Sequence, residues 1–248
     1  MSRETVEILG IPIDKVTLEQ ALARVEGFIA EGSPHLVVTP NAEILYRSLE
    51  DTELAQILRQ ADLATPDGAG VVLASRWLRD PVPERVTGVD LVRVLLERAD
   101  KAGYRIYLLG AQPESVQEAA RRLGEGFPGL TVCGFHHGYF GPSEESLIVD
   151  QIRAARPQVL LCGLGVPKQE KWLWRLRHEL GVPVSLGIGG AIDVFAGKTE
   201  RAPQWTQKAN LEWLYRLYKQ PGRIGRQLAL PKFVWEVLRR GRRGRGKA

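Results

Sequence analysis

Asp-x-Asp is missing from this 248-residue chain, and so are the CxxC and GxxxxGK[ST] spacings. The first absence removes the paired carboxylates that commonly hold a divalent cation on a nucleotide sugar's diphosphate, so no metal and no other cofactor is expected. The others remove a thiol redox or zinc motif and a P-loop, and neither strand-to-helix glycine turn, at residues 109–113 or 163–169, is a GxGxxG fingerprint. Cysteine is scarce: Cys133 and Cys162 each sit inside an apolar, strand-like run and read as small buried hydrophobes in a reducing compartment. The adjacent pair His136-His137 has no carboxylate at ligand spacing. In an extended segment its two rings are expected on opposite faces, which argues against a metal site. No apolar run approaches the roughly 18 residues that span a bilayer, and Met1 to Glu4 carries both Arg3 and Glu4. Neither a transmembrane helix nor a signal peptide is therefore expected.

The formal net charge of +5 conceals a division. Residues 201–248 hold 13 Lys and Arg against Glu212 and Glu236, a net of +11, which leaves residues 1–200 at −6. An asymmetry of this size calls for an anionic partner at the C-terminal end, lipid head groups or nucleic acid. Two regions are expected accordingly: a core over 1–200 and a basic, amphipathic appendage over 201–248.

Within the core, strands alternate with helices. An apolar strand or hairpin over Val6–Ile13 precedes a helix opened by the capping box Thr17-Leu18-Glu19-Gln20, with Leu18, Ala21, Leu22, Val25, Phe28 and Ile29 at helical spacing. Strand 35–39 and a helix over about 42–60, with a break near Asp51, lead to strand 63–65 and a helix over 70–78. Pro81 to Gly88 forms a stiff connector. Beyond it come helix 90–102, strand 105–109, helix 114–123, strand 130–135, helix 143–154, strand 159–163, helix 168–180 and strand 184–188. That alternation indicates βαβ crossovers and a mostly parallel, Rossmann-like sheet flanked by helices.

Two echoing stretches, Thr39-Pro40-Asn41-Ala42-Glu43 and Thr65-Pro66-Asp67-Gly68-Ala69-Gly70, each carry an apolar strand into a helix. In a parallel sheet such ends form the carboxyl rim, where ligands bind. Asp67 beside two glycines is the candidate for chemistry; the competing reading is a carboxylate that caps the next helix. Leu109-Gly110-Ala111-Gln112-Pro113 and Gly163-Leu164-Gly165-Val166-Pro167-Lys168-Gln169 also run from a strand through glycine into a helix N-terminus, which favours anions. Gly187-Ile188-Gly189-Gly190-Ala191-Ile192-Asp193 carries three glycines in four residues, a pattern that weakens a strand unless something approaches the backbone.

Taken together, TPNAEI, TPDGAG, PERVTGVDL, LLGA, HHGYF, LGVPKQEKW, GIGGAIDVFAGKTERAP and LEWLYRL resemble the WecG/TagA/CpsF family of glycosyltransferases, in order and from about residue 6 to about residue 235. The resemblance implies a Rossmann-like core with a C-terminal membrane-binding appendage, in an enzyme peripheral on the cytoplasmic, inner face of the membrane. It implies inverting transfer of N-acetylmannosamine, or its uronic acid, from a UDP sugar to N-acetylglucosamine on a polyprenyl diphosphate lipid, in teichoic acid-type or other surface polysaccharide synthesis. A homo-oligomer is left open. Asp67 would then be the catalytic base, with Thr39, Asn41, Arg85 and Gln169 lining the pocket beside it. Gly110, Tyr139, Gly189, Gly190 and Asp193 would hold the uridine diphosphate, Tyr139 by stacking on uracil, and Arg216, Arg223 and Arg226 would meet the departing diphosphate. The alternative is a non-catalytic Rossmann-like module that binds a nucleotide or nucleic acid through the run Arg239 to Arg245. Against nucleic acid stand Trp205, Leu211, Trp213, Leu214, Leu217 and Tyr218, whose amphipathic spacing suits an interface rather than a base-stacking groove.

Overall fold

Thr17 and Gln20 close the capping box: the Thr17 hydroxyl accepts the Gln20 N–H at 3.2 Å and the Gln20 carboxamide oxygen accepts the Thr17 N–H at 2.9 Å. The computed structural model describes residues 3–199 and 229–243. It opens with a hairpin of β1 (Thr5–Ile8) and β2 (Ile11–Asp14), followed by α1 (Leu18–Glu31) and β3 (His35–Val38). The helix expected over 42–60 is two helices, α2 (Ala42–Arg47) and α3 (Thr52–Gln60). The break falls at Asp51, whose carboxylate accepts the Leu54 N–H at 3.0 Å and so starts α3 afresh.

The chain continues through β4 (Leu63–Ala64), α4 (Ala69–Trp77), α5 (Gly88–Ala102), β5 (Arg105–Gly110), α6 (Pro113–Gly126) and β6 (Thr131–His136). Then come α7 (Pro142–Ala155), β7 (Val159–Gly163), α8 (Lys168–Leu180), β8 (Val184–Gly187) and α9 (Ala191–Phe195), a one-turn helix that periodicity does not announce. The last described helix, α10, spans Ala229–Arg243.

Strands β3 to β8 form one parallel sheet in the order β4-β3-β8-β7-β5-β6. Alternation along each strand divides the core into two layers. Val37, Ile106, Leu108, Leu161 and Leu186 face the apolar sides of α1, α5, α6 and α9. Leu36, Val38, Leu109, Leu160 and Cys162 face the hairpin and α2, α3, α7, α8 and α10. Phe233 and Val237 of α10 are buried in that second layer, against α2 and α4. The expected boundary at 200/201 and the stretch Trp205–Tyr218 lie outside the described residues.

This arrangement sets the site. The helix after β3 lies on one face of the sheet and the helix after β8 on the other, although the two strands are neighbours. The same reversal recurs between β7 and β5. Chains that part to opposite faces leave a crevice above the strand ends, and such crevices are where open α/β sheets take their ligands. A groove of about 610 Å³ between α6 and β6, lined by Glu114, Arg121, Cys133 and Phe135 among others, lies on the flank of edge strand β6 and not at this crevice.

Candidate active site

Asp67 does not cap the helix that follows it. The N-cap of α4 is Gly68, at φ 87°, which has no side chain to offer the helix's first N–H groups. The Asp67 carboxylate reaches the start of a different helix: the Gly88 N–H, first of α5, points at its Oδ2 at 3.4 Å. The connector makes this reach natural. The Val86 N–H bonds the Pro66 carbonyl at 3.1 Å, so residues 85–88 fold back over the Thr65-Pro66-Asp67 strand end, bringing half-buried Arg85 with them. The carboxylate thus faces the positive end of the α5 dipole.

Around it the other rim residues converge. The Thr39 hydroxyl donates to the Gly187 carbonyl at 3.3 Å, tying β3 to β8 across the crevice. Gly88 packs directly on Thr39: a Cβ there would lie 3.3 Å from its side-chain atoms. Asn41 caps α2, its Oδ1 accepting the Ile44 N–H at 3.1 Å, and its side chain lies beside Gly68. Its amide N–H groups remain as donors.

Gln169, expected to line the pocket, bonds the Gly187–Gly190 turn from the buried side. It is 2% exposed; its carbonyl accepts the Gly189 N–H at 3.0 Å and its amino group donates to Glu170 Oε1 at 2.8 Å. What a ligand would meet is the Gly187–Gly190 turn that Gln169 holds. Gly189 has φ 52°, and no described atom lies within 4 Å of where a Cβ would stand on it, so its backbone is open to approach. Gly190 is the exposed N-cap of α9, and half-buried Asp193 in that helix accepts the Lys198 and Thr199 N–H groups through its backbone carbonyl.

Gly110 has a different reason to be glycine. At φ 134°, it brings β5 so near β7 that a Cβ would lie 2.5 Å from the Gly163 carbonyl group. Gly163 in turn presses on the Gly189 carbonyl, 2.6 Å from where its own Cβ would be. With Gly138 N–H bonded to the Ala111 carbonyl at 2.9 Å, the loops after β6, β5, β7 and β8 make a continuous backbone floor. Above it Tyr139 is 65% exposed, its hydroxyl accepting from Gln112 Nε2 at 2.8 Å, so one edge is anchored and the ring is bare. His136 and His137 do not face opposite ways: β6 ends at His136, the chain turns, and the rings tilt together with centroids 4.4 Å apart. Among the described residues no group of three or more His, Cys, Asp or Glu is placed to hold a metal. Arg216, Arg223 and Arg226 lie outside the described residues.

Two residues of α8 were not singled out from the sequence. Lys168 holds its ammonium over the Phe140 ring, 4.8 Å from the centroid, and donates to the Gly138 carbonyl at 3.4 Å, beside Tyr139. Glu170 is 2% exposed, and burial pushes its carboxyl up to about 7 against the opposing hydrogen bond from Gln169. A folded-state value above the unfolded value of 4.5 stabilises the protein fully below pH 4.5, and that contribution is lost as pH rises through about 7. Glu170→Gln removes the dependence. In urea titrations, the stability of the variant relative to the natural chain is expected to improve by about 3 kcal/mol between pH 4.5 and pH 8. Parallel stability curves would mean that Glu170 ionises as it does in water.

Comparison with known proteins supplies the class of chemistry. The profile of the WecG/TagA/CpsF glycosyl transferase family matches residues 6–247. The chain belongs to that family. It is 34% identical over 215 residues to a Bacillus spizizenii protein named N-acetylglucosaminyldiphosphoundecaprenol N-acetyl-beta-D-mannosaminyltransferase, covering 87% of this chain and 83% of the relative. It is 33% identical over 240 residues to a protein of the same name from Staphylococcus aureus strain MW2, covering 96% and 94%. Membership of a family of glycosyl transferases makes this chain a hexosyl-transferring enzyme and leaves the non-catalytic binding module unsupported.

Proposed function

We propose that this family member transfers N-acetylmannosamine from a UDP donor to the N-acetylglucosamine of an undecaprenyl-diphosphate-linked acceptor, with inversion and without a metal, in the synthesis of a teichoic acid-type surface polymer. The relatives' names supply the sugar and the acceptor. The observation that carries the reading is Asp67: a carboxylate at the crevice that its own helix does not use as a cap, seated among Thr39, Asn41 and the open Gly189 turn.

The chemistry follows from that placement. Asp67 takes the proton of the acceptor hydroxyl as its oxygen bonds to the anomeric carbon; the bond from that carbon to the diphosphate breaks on the opposite face, and UDP leaves with the electron pair. Thr39, Asn41 and Arg85 bind sugar hydroxyls or the N-acetyl group, and the Gly187–Gly190 turn receives the donor's backbone-facing oxygens. β4 lies four strand steps from β5, on the order of 19 Å, which suits a sugar, a diphosphate and a nucleoside laid end to end along the rim. Uracil stacks on the bare Tyr139 ring near Gly110. Arg216, Arg223 and Arg226 meet the charge that develops on the departing diphosphate, in the part a metal would otherwise play.

The enzyme works at the inner face of the membrane as a peripheral protein. No helix among the described residues is long and apolar enough to cross a membrane. Trp235 and Leu238 of α10, and Leu73 and Trp77 of α4 on which α10 packs, are exposed, and Lys232, Arg239 and Arg240 supply cations beside them. Exposed aromatic and aliphatic side chains next to basic residues suit an anionic lipid surface.

The test offers the enzyme a panel of UDP sugars with a soluble polyprenyl diphosphate N-acetylglucosamine analogue, with and without EDTA, and measures UDP release. Release is expected with the N-acetylmannosamine donor, only when acceptor is present, and unchanged by EDTA. Release from a different sugar alone would overturn the donor assignment, and a loss restored by Mg²⁺ or Mn²⁺ would overturn the metal-free mechanism.

A further inference from the structure

The Gln169 carboxamide is a buried part that can sit either way round. With its oxygen toward Gly189 it accepts that residue's N–H at 3.0 Å; turned over, it would set NH₂ against N–H, donor facing donor. The turn that depends on it is central to the crevice, because Gly187 accepts from Thr39 at 3.3 Å and a Cβ on Gly187 would lie 2.8 Å from Gln169 Nε2. Something must choose the direction of the amide. Its amino end meets Glu170 Oε1 at 2.8 Å, an acceptor buried to 2% exposure whose second oxygen, Oε2, has no partner among the described residues. A carboxyl is seldom kept in such a place, since an unpartnered buried oxygen is costly and an apolar side chain would fill the same space without that cost.

The geometry assigns Glu170 as a positioning residue for the transfer reaction: by accepting from Gln169 it sets the direction of that amide, and through it the Gly189 N–H and the Gly187–Gly190 turn that faces Thr39. This rests on the functional reading above, and Glu170 itself touches no substrate. Its substitution should therefore be felt through Gln169 and should change turnover more than donor affinity.

The test uses the full chain with Glu170→Met, Glu170→Gln, Gln169→Ala and the Gln169→Ala/Glu170→Met pair, measuring kcat and KM for UDP release and amide hydrogen exchange at Gly189. Glu170→Met is expected to lower kcat about tenfold, to leave the donor KM within about twofold, and to speed exchange at Gly189 about tenfold. Glu170→Gln keeps an acceptor oxygen and should return both readouts to within about threefold of the natural chain. In the Gln169→Ala background the second substitution should add nothing, because the two residues act in series. Additive losses in the pair, or a Glu170→Met enzyme that melts lower yet keeps its kcat and its Gly189 exchange, would reduce Glu170 to packing. Should Glu170→Met fail to fold, Gln169→Ala decides: unchanged exchange at Gly189 overturns the proposal. If the natural chain releases no UDP from the mannosamine donor, the functional reading fails by itself, and exchange at Gly189 still judges the coupling of Glu170 to the turn.

Discussion

Asp67→Asn is expected to leave a folded enzyme whose kcat falls by about 10²- to 10⁴-fold, the range for losing a positioned general base. The substitution is nearly isosteric. An asparagine oxygen can still accept the Gly88 N–H that the Asp67 carboxylate meets at 3.4 Å, so the start of α5 and the fold-back of residues 85–88 should survive. What it cannot do is take a proton from an acceptor hydroxyl. The loss should therefore fall on kcat, with the acceptor KM changed little, since a neutral amide still hydrogen-bonds sugar oxygens. Steady-state UDP release together with a melting curve checks this. Turnover near that of the natural chain, with an unchanged melt, would make Asp67 a fixture of the α5 terminus and move the base elsewhere.

That prediction depends on a contact that the sequence did not display. Thr65-Pro66-Asp67-Gly68 reads equally as a strand end with a catalytic acid or as a cap, because both use a carboxylate between a strand and the helix that follows. Only the fold-back of a connector some twenty residues later shows the carboxylate turned toward Gly88. The alternation of strands and helices was legible, since each buried strand is a short apolar run closed by glycine or proline, and so was the restart at Asp51. The order β4-β3-β8-β7-β5-β6 was not, because periodicity says that a strand is buried and nothing of its neighbours. Gly110 and Gly163 were legible as special but not as to cause: they press strand end on strand end and turn, whereas no described atom lies within 4 Å of where a Cβ on Gly189 would stand. Glu170 was hidden for a related reason. An acid in the first turn of a helix is ordinarily a solvated partner of the dipole, and here α8 packs between α3 and α7 and takes that turn out of water.

The largest effect on stability is expected at Asp14, far from the chemistry but bound to its support. β4 has two residues and pairs with β3 alone, through Leu63 and Ala64. So short an edge strand needs another hold, and Asp14, at the end of β2 and 0% exposed, provides it by accepting the Ala64 N–H at 2.7 Å. Its charge is met by Arg3, at 2.9 and 3.0 Å to its two oxygens, and by Arg24 at 2.7 Å. The same arginines go on to the backbone of the chain entering β4: Arg3 donates to the Ala61 carbonyl at 2.8 Å and Arg24 to the Asp62 carbonyl at 2.7 Å. Asp14→Ala leaves two cations facing each other and a buried N–H without its acceptor. Breaking a buried pair costs about 3 to 5 kcal/mol, and since both arginine side chains keep nearly a third of their surface in water, about 3 kcal/mol is expected here. Urea unfolding measures it, and the loss should change little between low and high salt because Asp14 itself is buried. Because Asp67 lies three residues beyond Ala64, the folded fraction should also turn over more slowly than the natural chain. A loss below about 1 kcal/mol would place Asp14 among ordinary surface pairs, and β4 would then owe its position to β3 and the packing beneath it.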